Sequence, residues 1–356
     1  MSLFKNMLAE NESLFKDATA LDYDYLPKMI PHREDEQRVI AECIKPLFAN
    51  RNGRNATVTG APGIGKTAAC KHILREIEEQ TDEIQQVYVS CWQKNSTFKI
   101  LTEICHQIGY NLTHNKRTDE LFSEIKRIIN KSTAVFVFDE IDKAEDNDFL
   151  YMILEEIYKK TIITITNYDD WLINLDERIK SRLMPEKIEF KPYTLSETEA
   201  ILKDRLHYAF FDDVISDNIL KAIAKKAFER GDIRTGLHLL RESANNAENK
   251  ARRSITMEDA QKAFEKLIEF KKKDAEKLEA EEKSILELVK NSSSTRIGDL
   301  FKEYQKTNPN VIYKTFQRKI KKLNENGFLS TKKIPGGKEG NTTVIEYDST
   351  KKLTEF

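Results

Sequence analysis

The sequence predicts an α/β domain on a parallel sheet, then an all-helical domain, then a small helical module closed by a hairpin. Three observations predict it. From Asn55 to Thr166, short apolar or β-branched runs alternate with segments of helical period, and strands spaced by helices imply a parallel sheet covered on both faces. Within that stretch lies a glycine-rich loop between a strand pattern and a helix pattern, Gly60-Ala-Pro-Gly-Ile-Gly-Lys-Thr67. After Tyr193 the strand patterns stop and only helical ones follow until a terminal pair of short runs.

Taken in order, residues 1–53 read as a polar lead-in and a helix from Glu34 to Phe48, whose Val39, Ile40, Cys43 and Leu47 recur at helical spacing. Ala56–Thr59 is a strand and Lys66 to Glu79 a helix. Gln86–Cys91 is a strand, and Thr97–Gly109 a helix ended by its glycine. Glu120–Asn130 is helical, Ala134–Asp139 a buried strand, Leu150–Tyr158 a helix and Thr161–Thr166 a β-branched strand. Ser196–Phe210, Ser216–Glu229, Arg234–Asn249 and Met257–Phe270 form the helical domain. Glu269–Lys283 is nearly all charged and reads as a solvated linker helix. The implied division is 1–192, 193–270, 271–282 and 283–356.

Charge sharpens this division. The 356-residue chain carries 58 Lys+Arg against 59 Asp+Glu, net −1. From Lys283 onward there are 15 basic and 8 acidic residues, which leaves 43 and 51 for the rest. A basic end of +7 on an acidic body of −8 points to a polyanionic partner for that end alone. The four cysteines, Cys43, Cys70, Cys91 and Cys105, lack metal-site spacing and read as reduced core thiols. No leader pattern and no run approaching the roughly 20 apolar residues of a membrane span is present. The expectation is a cytoplasmic, nucleoid-associated protein without a membrane partner.

The glycine loop fits GxxxxGK[ST], with Gly60, Pro62, Gly63, Ile64, Gly65, Lys66 and Thr67, and Ala68 follows as the helix starts. Its glycines let successive N–H groups converge on phosphate oxygens, and the helix points its positive end at them. Lys66 would reach the terminal phosphates and Thr67 would bind Mg²⁺. The strand Val135–Asp139 ends in Asp139-Glu140, placing acids at the carboxyl edge of the sheet beside that loop. Asp139 would hold Mg²⁺ through water, and Glu140 would deprotonate the attacking water. Asn167 ends a third strand at the same edge, either as a turn residue or as a catalytic hydrogen-bonding group for the γ-phosphate or the lytic water.

Residues 283–347 read as three helices and a hairpin: Lys283–Lys290, Ile297–Lys306, Pro309 to Asn326, then Leu329–Ile334 with Thr342–Tyr347. On the third helix Asn308 is a candidate N-cap with Pro309 at the first position. Ile312, Phe316, Ile320 and Leu323 share one face; Lys314, Gln317, Arg318 and Lys321 share the other. One side would pack and the other would present long donors to phosphates and base edges. Lys332, Lys333 and Lys338 of the hairpin would serve backbone phosphates. Such a winged helix binds double-stranded DNA or, alternatively, protein.

Loop, acidic strand and Asn-ended strand in this order, followed by a helical domain, resemble an AAA+ ATPase. Further segments are similar to archaeal initiators related to origin-recognition-complex subunit one and cell-division-control protein six. These are Leu21-Asp-Tyr-Asp-Tyr-Leu-Pro27, Pro31-His-Arg-Glu34, Lys191-Pro-Tyr193 with Arg205, and Gly231-Asp-Ile-Arg234 through Arg241. The resemblance runs from Leu21 to Tyr347. It implies an AAA+ P-loop core, a helical lid and a C-terminal winged helix, with slow, switch-like ATP hydrolysis and ATP/ADP and Mg²⁺ as cofactors. It implies that Tyr25, Pro27 and Arg33 pack on adenine, that Tyr193 and Arg205 complete the pocket, and that Arg234 senses the γ-phosphate. It implies that Arg182, with Arg178 as rival, is a finger offered to a neighbouring copy or paralogue. The implied partners are origin DNA and a replicative helicase. Lys143–Lys160 is shorter than the corresponding family segment, which carries an additional DNA-touching helix; this leaves DNA binding mainly to the C-terminal module. The alternatives are a branch-migration motor, and a DNA-associated regulator that binds nucleotide without significant turnover.

Overall fold

A computed structural model of the chain describes residues 13–168, 170–276, 280–292, 296–309, 311–325, 328–334 and 342–347. The chain divides into two compact units, with the boundary between Ala260 and Gln261.

The first unit is built on five parallel strands: β1 (Ala56–Thr59), β2 (Ile84–Ser90), β3 (Thr133–Asp139), β4 (Lys160–Ile165) and β5 (Glu186–Glu189), in the order β2-β3-β4-β1-β5. All seven residues of β3 are buried, as a central parallel strand requires. Its alternate side chains enter two separate cores. Ala134, Phe136 and Phe138 pack with Ile100, Leu121 and Phe149, while Val135 and Val137 pack with Ile40, Ile73 and Ile77. The first core belongs to the helices α3 (Thr97–Gln107), α4 (Thr118–Ile129) and α5 (Asp148–Glu156), and the second to α1 (Glu34–Ile44) and α2 (Lys66–Gln80). Each fully buried Phe contributes about 2–3 kcal/mol, so two filled faces fix the carboxyl edge of the sheet.

Several elements differ from expectation for identifiable reasons. Helix α1 stops at Ile44, and Lys45–Ala49 continues as a 3-10 turn with Pro46 at its start, because proline cannot donate to the α-helical ladder. Strand β5 has no counterpart in the sequence reading. Only Ile188 of its four residues is buried, so it shows no apolar alternation. The segment carrying Arg178 and Arg182 is a short helix, α6 (Glu177–Leu183), capped by Asp176 through the Arg178 N–H.

Four helices follow: α7 (Leu195–Ala209), α8 (Asp217–Arg230), α9 (Ile233–Glu248) and α10 (Met257–Glu276). Thr194 and Glu197 cap α7 reciprocally. Gly231 ends α8 at φ +63°, and Asp232 accepts from Arg234 N–H to start α9. That two-residue junction aims the amino end of α9 at the phosphate loop. Helix α10 runs past Phe270 to Glu276, so half of the expected linker is continuous with it.

In the second unit α11 (Ala280–Asn291), α12 (Ile297–Thr307) and α13 (Tyr313–Glu325) enclose Ile285, Leu300, Tyr304, Phe316, Ile320 and Leu323. The antiparallel pair β6 (Leu329–Ile334) and β7 (Thr342–Tyr347) closes this core through Leu329 and Ile345. Arg296 adds a single bridge to Val344. Asn308 caps the end of α12, its N–H donating to Tyr304 O, and does not begin α13. Helix α13 starts at Tyr313, and Ile312, expected on the packed face, is 66% exposed. As the residue just before the helix, it gives its carbonyl to Thr315 and Phe316 N–H.

Candidate nucleotide site and nucleic-acid face

A cleft of about 270 Å³ opens at the carboxyl edge of the sheet. Its floor is the loop before α2 and the first turn of that helix: Pro62, Gly63, Gly65, Lys66, Thr67 and Ala68. Gly60 at φ +141° lies behind it, where a Cβ would fall 2.4 Å from Phe190 O. Gly63 at φ +75° leaves no room either, because a Cβ there would meet Asp232 Oδ1 at 2.0 Å. Lys66 is buried, its Nζ donating to Gly60 O, Ala61 O and Asn167 Oδ1, each at 2.8 Å. Burial lowers its pKa from 10.5 to about 8, against the opposing pull of Asp139.

The sheet edge adds Asp139, Glu140 and Asn167. Asp139 Oδ2 accepts from Thr67 Oγ1 and from Tyr88 Oη, both at 2.7 Å, and Oδ1 accepts from Glu140 N–H at 2.9 Å. Thr67 and Asp139 are hard oxygen donors, the set that Mg²⁺ takes when phosphates and water complete its shell. Among the described residues no group of three or more His, Cys, Asp and Glu could hold a metal by itself. Glu140 adopts the left-handed conformation, φ +52°, at a cost of about 1–2 kcal/mol for a residue with a Cβ. Burial, then the neighbouring Asp139 and Asp142, raises its carboxyl above the ordinary range. A strained carboxylate of raised basicity at a phosphate loop suits a general base.

The remaining walls are the helical domain and the lead-in. Arg205 and Arg234 both line the cleft, and so does Tyr25. Arg234 is held by Asp232 through Nε and Nη2, the latter at 2.8 Å. Arg205 donates to Ala20 O and Tyr25 O and lies 4.8 Å from the Tyr25 ring. Arg241 fixes Asp22 from the same side. From the sheet side, Arg75 donates to Pro27 O and Lys28 O, and His72 Nε2 is 2.8 Å from Lys28 O. The lead-in is thus tied at once to α2 and to the lid helices.

Five residues expected at the nucleotide, Pro27, Arg33, Gly60, Ile64 and Tyr193, do not line the cleft. Arg33 is 4% exposed and clamps the back of the loop, donating to Ile64 O at 3.1 Å and Lys191 O at 2.6 Å. Tyr193 stacks on the Arg33 guanidinium at 3.9 Å, with its hydroxyl behind Gly65. Pro27 is buried under Arg75. Ile64 likewise faces the core, 1% exposed. Arg182 sits on the outer face of α6, paired with Glu155 at 2.6 Å and 5.2 Å from the Tyr151 ring. Arg178 flanks the same ring at 5.9 Å and pairs with Asp176. Neither lines this chain's own cleft.

On α13 the basic residues separate. Lys319 and Lys322 turn toward α11, pairing with Glu281 and Glu282 at 2.6 Å each. Lys314, Gln317, Arg318 and Lys321 are exposed on the face opposite buried Phe316, Ile320 and Leu323. Lys332 and Lys333 fall on β6 with side chains outside the described set, and Lys338 lies outside the described residues.

A profile described as an AAA domain matches residues 49–166, and one described as a Cdc6 AAA+ ATPase-type lid domain matches residues 199–265. The ORC1-type DNA replication protein 2 of Methanosarcina mazei is 31% identical over 356 residues, covering 96% of this chain and 95% of the relative. The chain belongs to the ORC1-type DNA replication proteins. It is an AAA+ ATPase of that family. The same fold is found in the Aeropyrum pernix ORC1 protein in complex with DNA, at TM-score 0.68 and 24% identity over 94% of each chain. The Aeropyrum pernix ORC2 protein matches at TM-score 0.72 and 18% identity over 96% of each chain.

Sequence reasoning missed Tyr88, Arg75, Asp232 and Lys71, which also lines the cleft. Only Asp232 left a usable signal, an N-cap residue before a helix pattern.

Proposed function

We propose that this AAA+ ATPase is an origin-binding initiator whose nucleotide state controls its assembly on DNA and the recruitment of a replicative helicase. The observation that carries the switch is where α9 begins. Ile233 N–H donates to Gly63 O at 3.2 Å, and Asp232 packs against Gly63. A nucleotide in the loop therefore meets the lid directly, and phosphate oxygens compete with Asp232 for Arg234.

Phosphate would also replace the carbonyls of Gly60 and Ala61 as partners of Lys66, with Asn167 beside it. Thr67 and Asp139 would hold Mg²⁺, which supplies charge neutralisation between the terminal phosphates. Glu140 takes the proton of the attacking water. Arg182 or Arg178 would reach the equivalent cleft of a neighbouring copy or paralogue. Slow turnover then serves as a timer between two lid positions.

Duplex DNA would be engaged by the exposed donors of α13 in the major groove, with the β6–β7 lysines on phosphates. The exposed basic face, opposite a packed apolar one, supports this reading. As a test, the full chain loaded with ATP or ADP is mixed with genomic fragments, captured and sequenced. Enrichment of origin-containing fragments that depends on the nucleotide is expected. Equal retention of all fragments in both states would overturn the proposal.

A further inference from the structure

We propose that Tyr88 positions the metal-binding carboxylate of Asp139, holding it turned toward Thr67 by a hydrogen bond from its phenol. This rests on the reading of the cleft as a Mg²⁺–nucleotide site.

In the β2–β3 register Tyr88 pairs with Val137 and Ser90 with Asp139. Tyr88 and Asp139 therefore project from the same face as diagonal neighbours, a separation that a long aromatic side chain spans. The phenol donates to Asp139 Oδ2 at 2.7 Å, the same oxygen that accepts from Thr67 Oγ1. With Glu140 N–H on Oδ1, the carboxylate is fixed at three points before any metal arrives.

Tyr88 is itself held from two directions. Gln107 of α3 brackets its backbone, accepting from Tyr88 N–H at 2.9 Å and donating to Tyr88 O at 2.7 Å. This closes β2, an edge strand, at that residue. Glu103 accepts from Gln107 Nε2 at 2.8 Å and keeps the bracket in place. The Lys71 ammonium lies 4.7 Å from the ring centre. Phenylalanine would fill the same volume, so filling space does not account for the hydroxyl. Groups that hydrogen-bond a metal-holding carboxylate orient it, and losing one weakens metal binding by roughly 10–100-fold.

The test is a Mg²⁺ titration of the full chain with a fluorescent, non-hydrolysable ATP analogue, comparing wild type with Tyr88→Phe. Analogue affinity in EDTA should be unchanged, while the Mg²⁺ concentration giving half-maximal enhancement should rise by about tenfold. In an Asp139→Asn background, Tyr88→Phe should add little further, because the two act through one hydrogen bond. An unmoved Mg²⁺ midpoint would overturn the proposal. So would an equal loss of affinity with and without Mg²⁺, which would assign Tyr88 to packing. Should Tyr88→Phe melt below the assay temperature, Tyr88→His, which keeps a ring donor, is expected to retain at least part of the wild-type midpoint; a midpoint as far displaced as in Asp139→Asn would count against the phenol's role. A wild type whose binding ignores Mg²⁺ would instead overturn the underlying site reading.

Discussion

If Lys66 meets phosphate as proposed, nucleotide binding should be a proton-uptake reaction above neutrality. In the empty cleft, burial holds its pKa at about 8 rather than 10.5. Phosphate oxygens favour the ammonium form, so in the complex the pKa returns to at least the ordinary lysine value. The free protein thus loses its proton at lower pH than the complex. Affinity is fully present below the free-state pKa and falls as pH rises through it, by about tenfold per pH unit. The nucleotide should bind about tenfold more weakly at about pH 9 than at about pH 7, and calorimetry in buffers of different ionisation heat should register uptake of about 0.9 proton. The phosphates are already ionised in this window, and Lys66→Ala should remove the dependence. Affinity that stays level between about pH 7 and pH 9, with no proton uptake, would refute the reasoning. The stability of the empty protein follows the opposite sign. The unfolded chain keeps the proton up to 10.5, so this group's contribution to stability rises with pH from about 8 to 10.5.

Further outcomes follow from neighbouring residues. Glu140→Gln should lower turnover by about 100-fold or more in a phosphate-release assay while leaving nucleotide affinity unchanged. Glu140→Gly should also abolish turnover, yet raise folding stability by about 1 kcal/mol in thermal unfolding, since it removes a left-handed side chain. Gly63→Ala forces a Cβ against Asp232 at φ +75°, and the strain should weaken nucleotide binding by about tenfold or more in equilibrium titration. Replacing Lys314 and Arg318 by Ala should reduce DNA affinity and flatten its dependence on log salt by about 0.9 for each phosphate no longer neutralised.

Legibility in the sequence followed burial. Strand β3, buried along its whole length, and the loop Gly60–Thr67 could be read because apolar runs and glycine spacing are local signals. Strand β5 could not, because one buried residue in four leaves no period to detect. Asn308-Pro309 looks like a helix start, but Asn308 closes α12 and α13 begins only at Tyr313. The cleft was legible where a side chain belongs to a contiguous motif, as Lys66, Thr67, Asp139 and Glu140 do. Arg33 was placed on adenine by resemblance, yet its partners are the carbonyls of Ile64 and Lys191, the second 158 residues away in sequence. Tyr88 escaped notice because its contact with Asp139 depends on the β2–β3 register, which alternation within one strand does not encode. Helical spacing alone set Lys314 and Arg318 apart from Lys319 and Lys322, but the partners of the latter pair, Glu281 and Glu282, could be named only once α11 was in place.

As proposed above, an ATP-switched body delivers the α13 face to origin DNA. Genome-wide occupancy mapping in cells, with and without Lys314, Arg318 and Lys338 changed to Ala, tests it most directly. Discrete origin-proximal peaks that vanish in the substituted protein are predicted. Peaks that persist undiminished, or occupancy with no discrete sites in the wild type, would contradict it.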